Sequence, residues 1–136
     1  MKLSVIIPSY NFSKYIEQCL YSVLFQNTNF DFEVLVRDDF SNDGTNEILE
    51  RISIYNPNLK YYVANENWGF HKNIKFLMEE ARGEYIAYLD GDDYFTDKDK
   101  LQRQIDFLKT DQKLIEMNSC SINWPIKWHS ILMGGE

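Results

Sequence analysis

Gly83-Glu84-Tyr85-Ile86-Ala87-Tyr88-Leu89-Asp90-Gly91-Asp92-Asp93 runs from a glycine through a short apolar stretch into three carboxylates within four residues. The stretch Glu84 to Leu89 reads as a strand, because it is rich in aromatic and β-branched residues and is bounded by turn residues. On its N-terminal side Phe70, Ile74, Leu77, Met78 and Ala81 recur at helical spacing, with Gly83 in the position that ends a helix. On its C-terminal side a further helix, with Leu101, Ile105 and Leu108 inward, follows Thr96 to Asp99.

The same alternation extends back to the start of the chain. Leu3 to Ile7 is an apolar run without alternation, closed by Pro8, as expected of a strand buried on both faces. Ser13 is placed to cap a helix carrying Tyr15, Ile16, Cys19, Leu20, Val23 and Leu24, which ends near Gln26-Asn27. Phe32 to Val36 is a second strand, and the polar turn Asp38 to Thr45 leads to a helix with Ile48, Leu49 and Ile52 on one face, closed by Pro57. Leu59 to Val63 is a third strand, and Asn65 to Gly69 is a loop. Beyond Thr110 the pattern weakens: Leu114 to Ile122 suits another strand, and Trp124 to Trp128 has no clear period.

Four strand-helix units imply an α/β sandwich with a mainly parallel sheet, since parallel neighbours need right-handed helical crossovers. With strand order 3-2-1-4, the ligand crevice lies at the carboxyl ends of strands one and four. Ser9-Tyr10-Asn11, Asp38-Asp39 and Asp90-Gly91-Asp92-Asp93 then meet on one edge. The 136 residues, 44% hydrophobic and 26% charged, suffice for one domain with one core. Residues 1–110 form the patterned core and 111–136 a poorly patterned tail.

The net charge of -7 argues against nucleic acid or an anionic membrane as a general partner. A small anionic ligand is still compatible if a divalent cation bridges it to the protein. The apolar runs are far shorter than the roughly 20 residues a membrane span needs, and no secretory signal is evident. Cys19 and Cys120 make no CxxC pair, so a reducing cytoplasm is the expected compartment. Dinucleotide-binding, P-loop and α/β-hydrolase motifs are missing.

Three carboxylates this close repel one another unless a cation relieves them. All the candidate donors are oxygen, which favours Mg²⁺ or Mn²⁺ over Zn²⁺. An isolated Asp-x-Asp is more often a solvated turn capping the next helix, but its place after a buried strand favours the metal. Gly91 is expected to let the backbone turn and a bulky group approach. Asp38-Asp39 is balanced between accepting hydrogen bonds from a base or ribose and ordinary turn chemistry, for which Ser41 and Asp43 are equally suited. Tyr10 suits stacking on a planar base, although an aromatic near a strand end more often edges a core. His71 and Lys72 precede Asn73 near a helix N-terminus, where phosphate contact competes with a solvated helix start. Cys19, on an apolar helix face, reads as core.

Ser4-Val5-Ile6-Ile7-Pro8-Ser9-Tyr10-Asn11, Asp38 to Thr45, Asn67-Trp68-Gly69 with Asn73, and Gly83 to Asp93 together resemble the family 2 glycosyltransferases of GT-A fold. The resemblance covers Lys2 to about Leu108. It implies a Rossmann-like three-layer sandwich and transfer of a sugar from a nucleotide diphosphate donor to an acceptor hydroxyl, with inversion at the anomeric carbon. By that analogy Pro8, Tyr10, Asn11, Asp39, Lys72, Asn73, Asp90 and Gly91 form the nucleotide-sugar site. Tyr10 and Asp39 would contact the base, Asp90 the ribose, and Asp92 with or without Asp93 the Mg²⁺ or Mn²⁺ on the diphosphate. Lys72 stands near where many relatives carry an arginine, which weakens bidentate phosphate contact.

The family's acceptor-side catalytic base belongs to a later acidic motif. Asp97, Asp99, Asp106, Asp111, Glu116 and Glu136 lie in no recognisable version of it. The chain therefore reads as the donor-binding half, truncated on its C-terminal side. The expected role is synthesis of a cell-surface or other polysaccharide on a glycan or lipid-linked acceptor, at the cytoplasmic face of a membrane and with peripheral association at most. The competing reading is a non-catalytic nucleotide-sugar-binding module. A nucleotidyltransferase of similar fold is disfavoured, because Ser9-Tyr10-Asn11-Phe12 is neither Gly-rich nor basic.

Overall fold

The computed structural model describes residues 1–110 and 131–133. In chain order the elements are β1 (Leu3–Ser9), α1 (Ile16–Leu24), β2 (Phe32–Asp38), α2 (Thr45–Ser53), β3 (Leu59–Val63), α3 (Phe70–Glu80), β4 (Tyr85–Tyr88), α4 (Lys100–Thr110) and β5 (Ile131–Met133). The sheet order is β3-β2-β1-β4-β5, and each of these pairings is parallel. The expected 3-2-1-4 arrangement is present, with β1 at its centre. The short β5 lies in the weakly patterned tail and pairs Ile131 with Ile86. The strand expected over 114–122 lies outside the described residues.

All of β1 is buried, and its residues alternate between two apolar layers. Leu3, Val5 and Ile7 join the core formed with α1, α2 and α4, through Ile16, Leu20, Leu49, Ile52, Leu101 and Ile105. Ile6 faces the other way, with Leu35 and Ile86, onto Ile74, Leu77, Met78 and Ala81 of α3. Three layers result, helices on either side of the sheet. The strand passes Pro8 and ends at Ser9, two residues beyond the expected limit. Pro8 lies past the end of β4, whose Tyr88 pairs with Ile6, so its missing N–H removes no ladder bond.

The α3 face of the sheet also buries polar groups, and they organise the turn into β4. The Ser4 hydroxyl donates to Glu33 Oε1 at 2.7 Å, and the Arg82 N–H donates to the same oxygen at 2.8 Å. The Arg82 guanidinium lies 3.1 Å from Glu33 Oε2, while the Gly83 N–H donates to Ser4 Oγ at 2.8 Å. Gly83 therefore does not end α3 in a left-handed cap. The chain leaves the helix at Ala81 in extended conformation (φ -66°, ψ 133°), and the positive-φ glycines are Gly44 and Gly69. A glycine is needed at 83 because a Cβ there would lie 2.4 Å from the Ser4 nitrogen and 2.6 Å from the Leu3 carbonyl carbon.

Burial alone would raise the Glu33 carboxyl, but the Arg82 N–H, the Ser4 hydroxyl and the Arg82 guanidinium outweigh it and hold it below the ordinary range. Because the folded value is the lower one, this stabilisation is complete above the unfolded value of about 4.3 and is lost as pH falls through the folded value. Glu33→Gln is expected to flatten the acid-side fall of melting temperature below about pH 4.3. Curves for mutant and wild type that stay parallel in acid would refute the assignment.

α1 begins at Ile16 without a side-chain cap. Ser13 instead gives both its N–H, at 3.0 Å, and its side-chain hydroxyl to Asp43, so a partner from another loop takes the group expected to cap the helix. Asn11 and Phe40 adopt positive φ, 52° and 69°. For an aromatic residue that conformation is an outlier, and left-handed backbone costs about 1–2 kcal/mol. The ring is 58% exposed and recovers little of that by burial. Phe40→Gly, after the roughly 0.5–1 kcal/mol entropic cost of glycine, is expected to leave thermal stability unchanged or slightly raised. A clear drop in melting temperature would mean the ring is held by contacts that offset the strain.

Candidate functional site

The carboxyl ends of β1, β2 and β4 are tied together by backbone hydrogen bonds. Asp39 N–H donates to the Ser9 carbonyl at 2.9 Å, Leu89 N–H to that of Ile6 at 3.1 Å, and Gly91 N–H to that of Pro8 at 3.2 Å. The strand order reverses at β1, so the three polar segments expected to converge do so along the edge of the sheet where ligands bind in such folds.

Asp90, Asp92 and Asp93 each present one carboxylate oxygen within 4.8 Å of the others. They sit on the tight turn closed by the Asp93 N–H on the Asp90 carbonyl at 3.0 Å. A Mg²⁺ ion with bonds of about 2.1 Å spaces its ligand oxygens roughly 3–4 Å apart, a spacing near that of this group. The all-oxygen donor set fits Mg²⁺ or Mn²⁺. Partial burial, then the charges of Asp92 and Asp90, push the Asp93 carboxyl above its ordinary value. The Tyr88 hydroxyl donates to Asp90 Oδ1, and burial followed by that bond raises the phenol. Below the turn, Cys19 Sγ lies 3.5 Å from the Asp90 carbonyl oxygen. Burial first, and then the three aspartates, push its thiol upward, in keeping with its place in the core.

The two aspartates ending β2 divide the competing roles between them. Asp38 is fully buried and accepts from the Ser41 N–H at 2.9 Å and the Ser41 hydroxyl at 2.6 Å, which is turn chemistry. Burial raises its carboxyl despite those bonds. Asp39 receives the Trp68 N–H on one oxygen at 2.6 Å and the Gly69 N–H on the other at 3.0 Å. Each carboxylate oxygen has two acceptor sites, so Asp39 keeps capacity for a ligand.

The first two loops of this edge are stapled to each other. Asn11 donates its N–H to Ser41 Oγ at 2.8 Å and accepts the Asn42 N–H on its side chain at 3.1 Å. Asp43 joins Ser13 to Thr45, and although burial opposes ionisation, the Thr45 and Ser13 donors hold its carboxyl down at about 2. Asn11 thus shapes the edge through its loop contacts. Tyr10 projects from the end of β1 with 48% of its surface exposed, consistent with an open stacking face.

Other expected site residues are placed differently. The space a side chain would fill at Gly91 is occupied by Phe12, the Pro8 carbonyl oxygen and Ile16, at 2.9, 3.1 and 3.3 Å. Gly91 is required for packing of this turn on β1, and the approach it permits is that of the protein itself. Asn73 is buried, and its amide donates to the Gly69 carbonyl at 2.9 Å and accepts from Arg37 Nε at 3.3 Å. It serves the loop before α3. Lys72 and His71 are exposed in the first turn of α3. Phe70, at the start of that helix, packs edge-on against Tyr88 with centroids 6.1 Å apart, which brings the helix start beside Asp90.

Trp68 and Tyr88 lie inside the motifs of the sequence but were assigned no role of their own, and Arg37 was not singled out at all. The available signal was an arginine inside an apolar strand, which is costly to bury without a partner. Its guanidinium carbon lies 4.2 Å from the Trp68 ring and 4.3 Å from the Phe76 ring.

The model for glycosyl transferase family 2 matches residues 4–130. The putative teichuronic acid biosynthesis glycosyltransferase TuaG of Bacillus subtilis is 39% identical over 106 residues, covering 78% of this chain and 41% of its own length. Among solved structures, S. aureus TarS 1-349 in complex with UDP-GlcNAc superposes with a TM-score of 0.74 and 36% identity, over 82% of this chain and 32% of that one. The mannosyltransferase PcManGT from Pyrobaculum calidifontis, in complex with GDP-Man and Mn²⁺, gives 0.72 and 27%, over 79% of this chain and 32% of that one. The matched stretch spans from 31% to 41% of the length of the curated relatives it matches. The chain belongs to glycosyl transferase family 2 and has its GT-A fold.

Proposed function

We propose that this chain is the donor-binding portion of an inverting glycosyltransferase of polysaccharide synthesis, acting from a nucleotide diphosphate sugar onto a glycan or lipid-linked acceptor hydroxyl. The observation that carries the reading is the convergence of Asp90, Asp92 and Asp93 at the end of β4, beside the exposed Tyr10 and the half-committed Asp39. Tyr10 stacks on the base and Asp39 accepts hydrogen bonds from it, while Asp90 accepts from the ribose. Asp92, with Asp93, holds the metal, and Lys72 approaches a phosphate. Pro8, Asn11, Asn73 and Gly91 act by shaping the backbone around the donor. A Mg²⁺ or Mn²⁺ ion at Asp92 supplies positive charge against the departing diphosphate. The 36% identity to TarS, whose complex contains UDP-GlcNAc, makes a UDP-sugar the first donor to test.

Calorimetric titration of UDP, GDP and their sugars with Mn²⁺ tests this reading. Binding is expected to weaken at least about tenfold with a chelator, because the metal bridges two anionic partners. Nucleotide binding indifferent to chelator would sink the metal-diphosphate assignment.

A second reading, donor binding without turnover, is favoured by the downstream carboxylates. An inverting transfer needs a base for the acceptor hydroxyl. Among the described residues, Asp97 pairs with Arg103 at 2.9 Å and Asp106 accepts from Gln102 at 2.9 Å, both local contacts at α4, while Asp99 accepts from Asn27 beyond the end of α1 at 3.2 Å. The 136-residue chain is accordingly expected to bind donor but to show little transfer or hydrolysis, and vigorous turnover would reject that second reading. No helix among the described residues is long and apolar enough to cross a membrane.

A further inference from the structure

Arg37 is 7% exposed and has no carboxylate partner among the described residues within ion-pair distance. A buried charge without a counter-ion costs several kcal/mol, so its surroundings must offset that cost. Its guanidinium fills the corner between Trp68 and Phe76, whose rings meet edge-on with centroids 6.3 Å apart. Two aromatic faces attract a planar cation, more strongly when water is excluded. Arg37 Nε also donates to Asn73 Oδ1 at 3.3 Å, and the Asn73 amide donates to the Gly69 carbonyl. Arg37 thus grips the loop before α3 through a ring on Trp68 and through an amide on Gly69. The N–H groups of those two residues are the ones bonded to the Asp39 carboxylate.

We propose that Arg37 is a positioning residue for Asp39: by holding Trp68 and Asn73 it fixes the two N–H groups that aim the Asp39 carboxylate toward the donor. This rests on the reading of Asp39 as a donor contact. The loop has few other anchors to the sheet; Asn67 Nδ2 reaches the Asp39 carbonyl only at 3.4 Å, and the Ala64 N–H bonds the Asp38 carbonyl at the loop's start. Removing the cation takes one packing face from the Trp68 ring, which keeps its edge contact with Phe76 and its indole bond to Glu66, and leaves Asn73 Oδ1 without its Arg37 donor. The Asp39 oxygens then lose a fixed reference, although the carboxylate itself is intact.

The test combines amide exchange with a double-mutant cycle on the full chain, using UDP and GDP with Mn²⁺ as probes. Arg37→Met is expected to accelerate exchange at the Trp68 and Gly69 amides by about tenfold or more, with exchange at Ile6 and Leu35 unchanged. It is expected to weaken nucleotide binding about five- to tenfold in the wild-type background and less than about twofold in Asp39→Asn, because an effect exerted through Asp39 disappears once Asp39 is altered. Losses that multiply in the double variant overturn the proposal, as does unchanged exchange at the two amides. If Arg37→Met does not fold, Phe76→Leu, which opens one wall of the corner while keeping the arginine, must accelerate the same two amides. A wild-type chain that binds neither nucleotide overturns the reading of Asp39 as a donor contact and the proposal with it. A wild type that binds, alongside an Arg37→Met variant indistinguishable from it, overturns the proposal alone.

Discussion

Gly83→Ala is expected to lower stability by about 3 kcal/mol or more, the upper end of the range for forcing extra atoms into packed structure. The reason is the identity of the atoms in the way. A Cβ at 83 meets the Ser4 nitrogen, the Leu3 carbonyl carbon and the Ser4 hydroxyl at 2.4, 2.6 and 2.8 Å. The first two are backbone of β1, which is hydrogen-bonded on both sides and cannot yield without disturbing β2 and β4. The third is the hydroxyl that joins Gly83 to Glu33, so any shift also disturbs a buried carboxylate. Typical domain stabilities are only about 5–15 kcal/mol, so a large fraction is at stake. Thermal unfolding should show a fall of about 10 °C or more for a chain of this size. Were the glycine needed only as a helix terminator, alanine would cost about 1 kcal/mol and a few degrees. A fall that small would remove the close approach as its explanation.

Asp92→Asn is expected to weaken Mn²⁺-dependent nucleotide binding by about 100-fold or more, since even residues that merely orient metal ligands cost about 10–100-fold when changed. The substitution is nearly isosteric, and Asp92 is exposed, so folding should be unaffected. The loss has two parts: a hard anionic donor becomes a neutral amide, and the remaining carboxylates lose the charge that demanded a cation. Metal-free binding of the nucleotide should change little, or even improve as repulsion of the diphosphate falls. Calorimetry with and without chelator separates these terms. If Asp92→Asn and wild type bind equally in Mn²⁺, the metal does not sit on Asp92.

Most of the architecture was legible from short-range pattern. Leu3 to Ile7, Phe32 to Val36, Leu59 to Val63 and the apolar run after Gly83 all form strands, and the strand-helix alternation implies the parallel order now seen. Where reading failed, a partner far along the chain decided the outcome. Ser13 has ideal cap chemistry, yet Asp43, 30 residues away, takes its hydroxyl as well as its N–H. Gly83 fits a helix end by spacing, but Ser4, 79 residues distant, requires it. Asp38 and Asp39 are chemically identical neighbours, and alternation along the strand sends one to Ser41 and the other to Trp68 and Gly69. The acidic cluster was readable because its members are adjacent in sequence. Arg37 was not, because its partners Trp68, Asn73 and Phe76 come from the next loop and helix, and nothing in the sequence joins the motif Asn67-Trp68-Gly69 with Asn73 to an arginine 30 or more residues earlier.

The central position of β1 also constrains how the chain is made. Synthesis delivers β1 first, but its β4 neighbour begins at Tyr85, so one edge of the middle strand has no native partner while residues 10 to 84 emerge. Unpaired strand edges invite wrong pairing, and contacts of long sequence separation form slowly. A ribosome-bound intermediate with β1, β2 and β3 assembled would carry Asp39 but no acidic turn. Its α3-side layer would lack Ile86, and Glu33 would lack Arg82 until that residue cleared the exit tunnel. The acidic turn is therefore among the last of the described parts of this edge to be completed during translation, well after Asp39 has emerged.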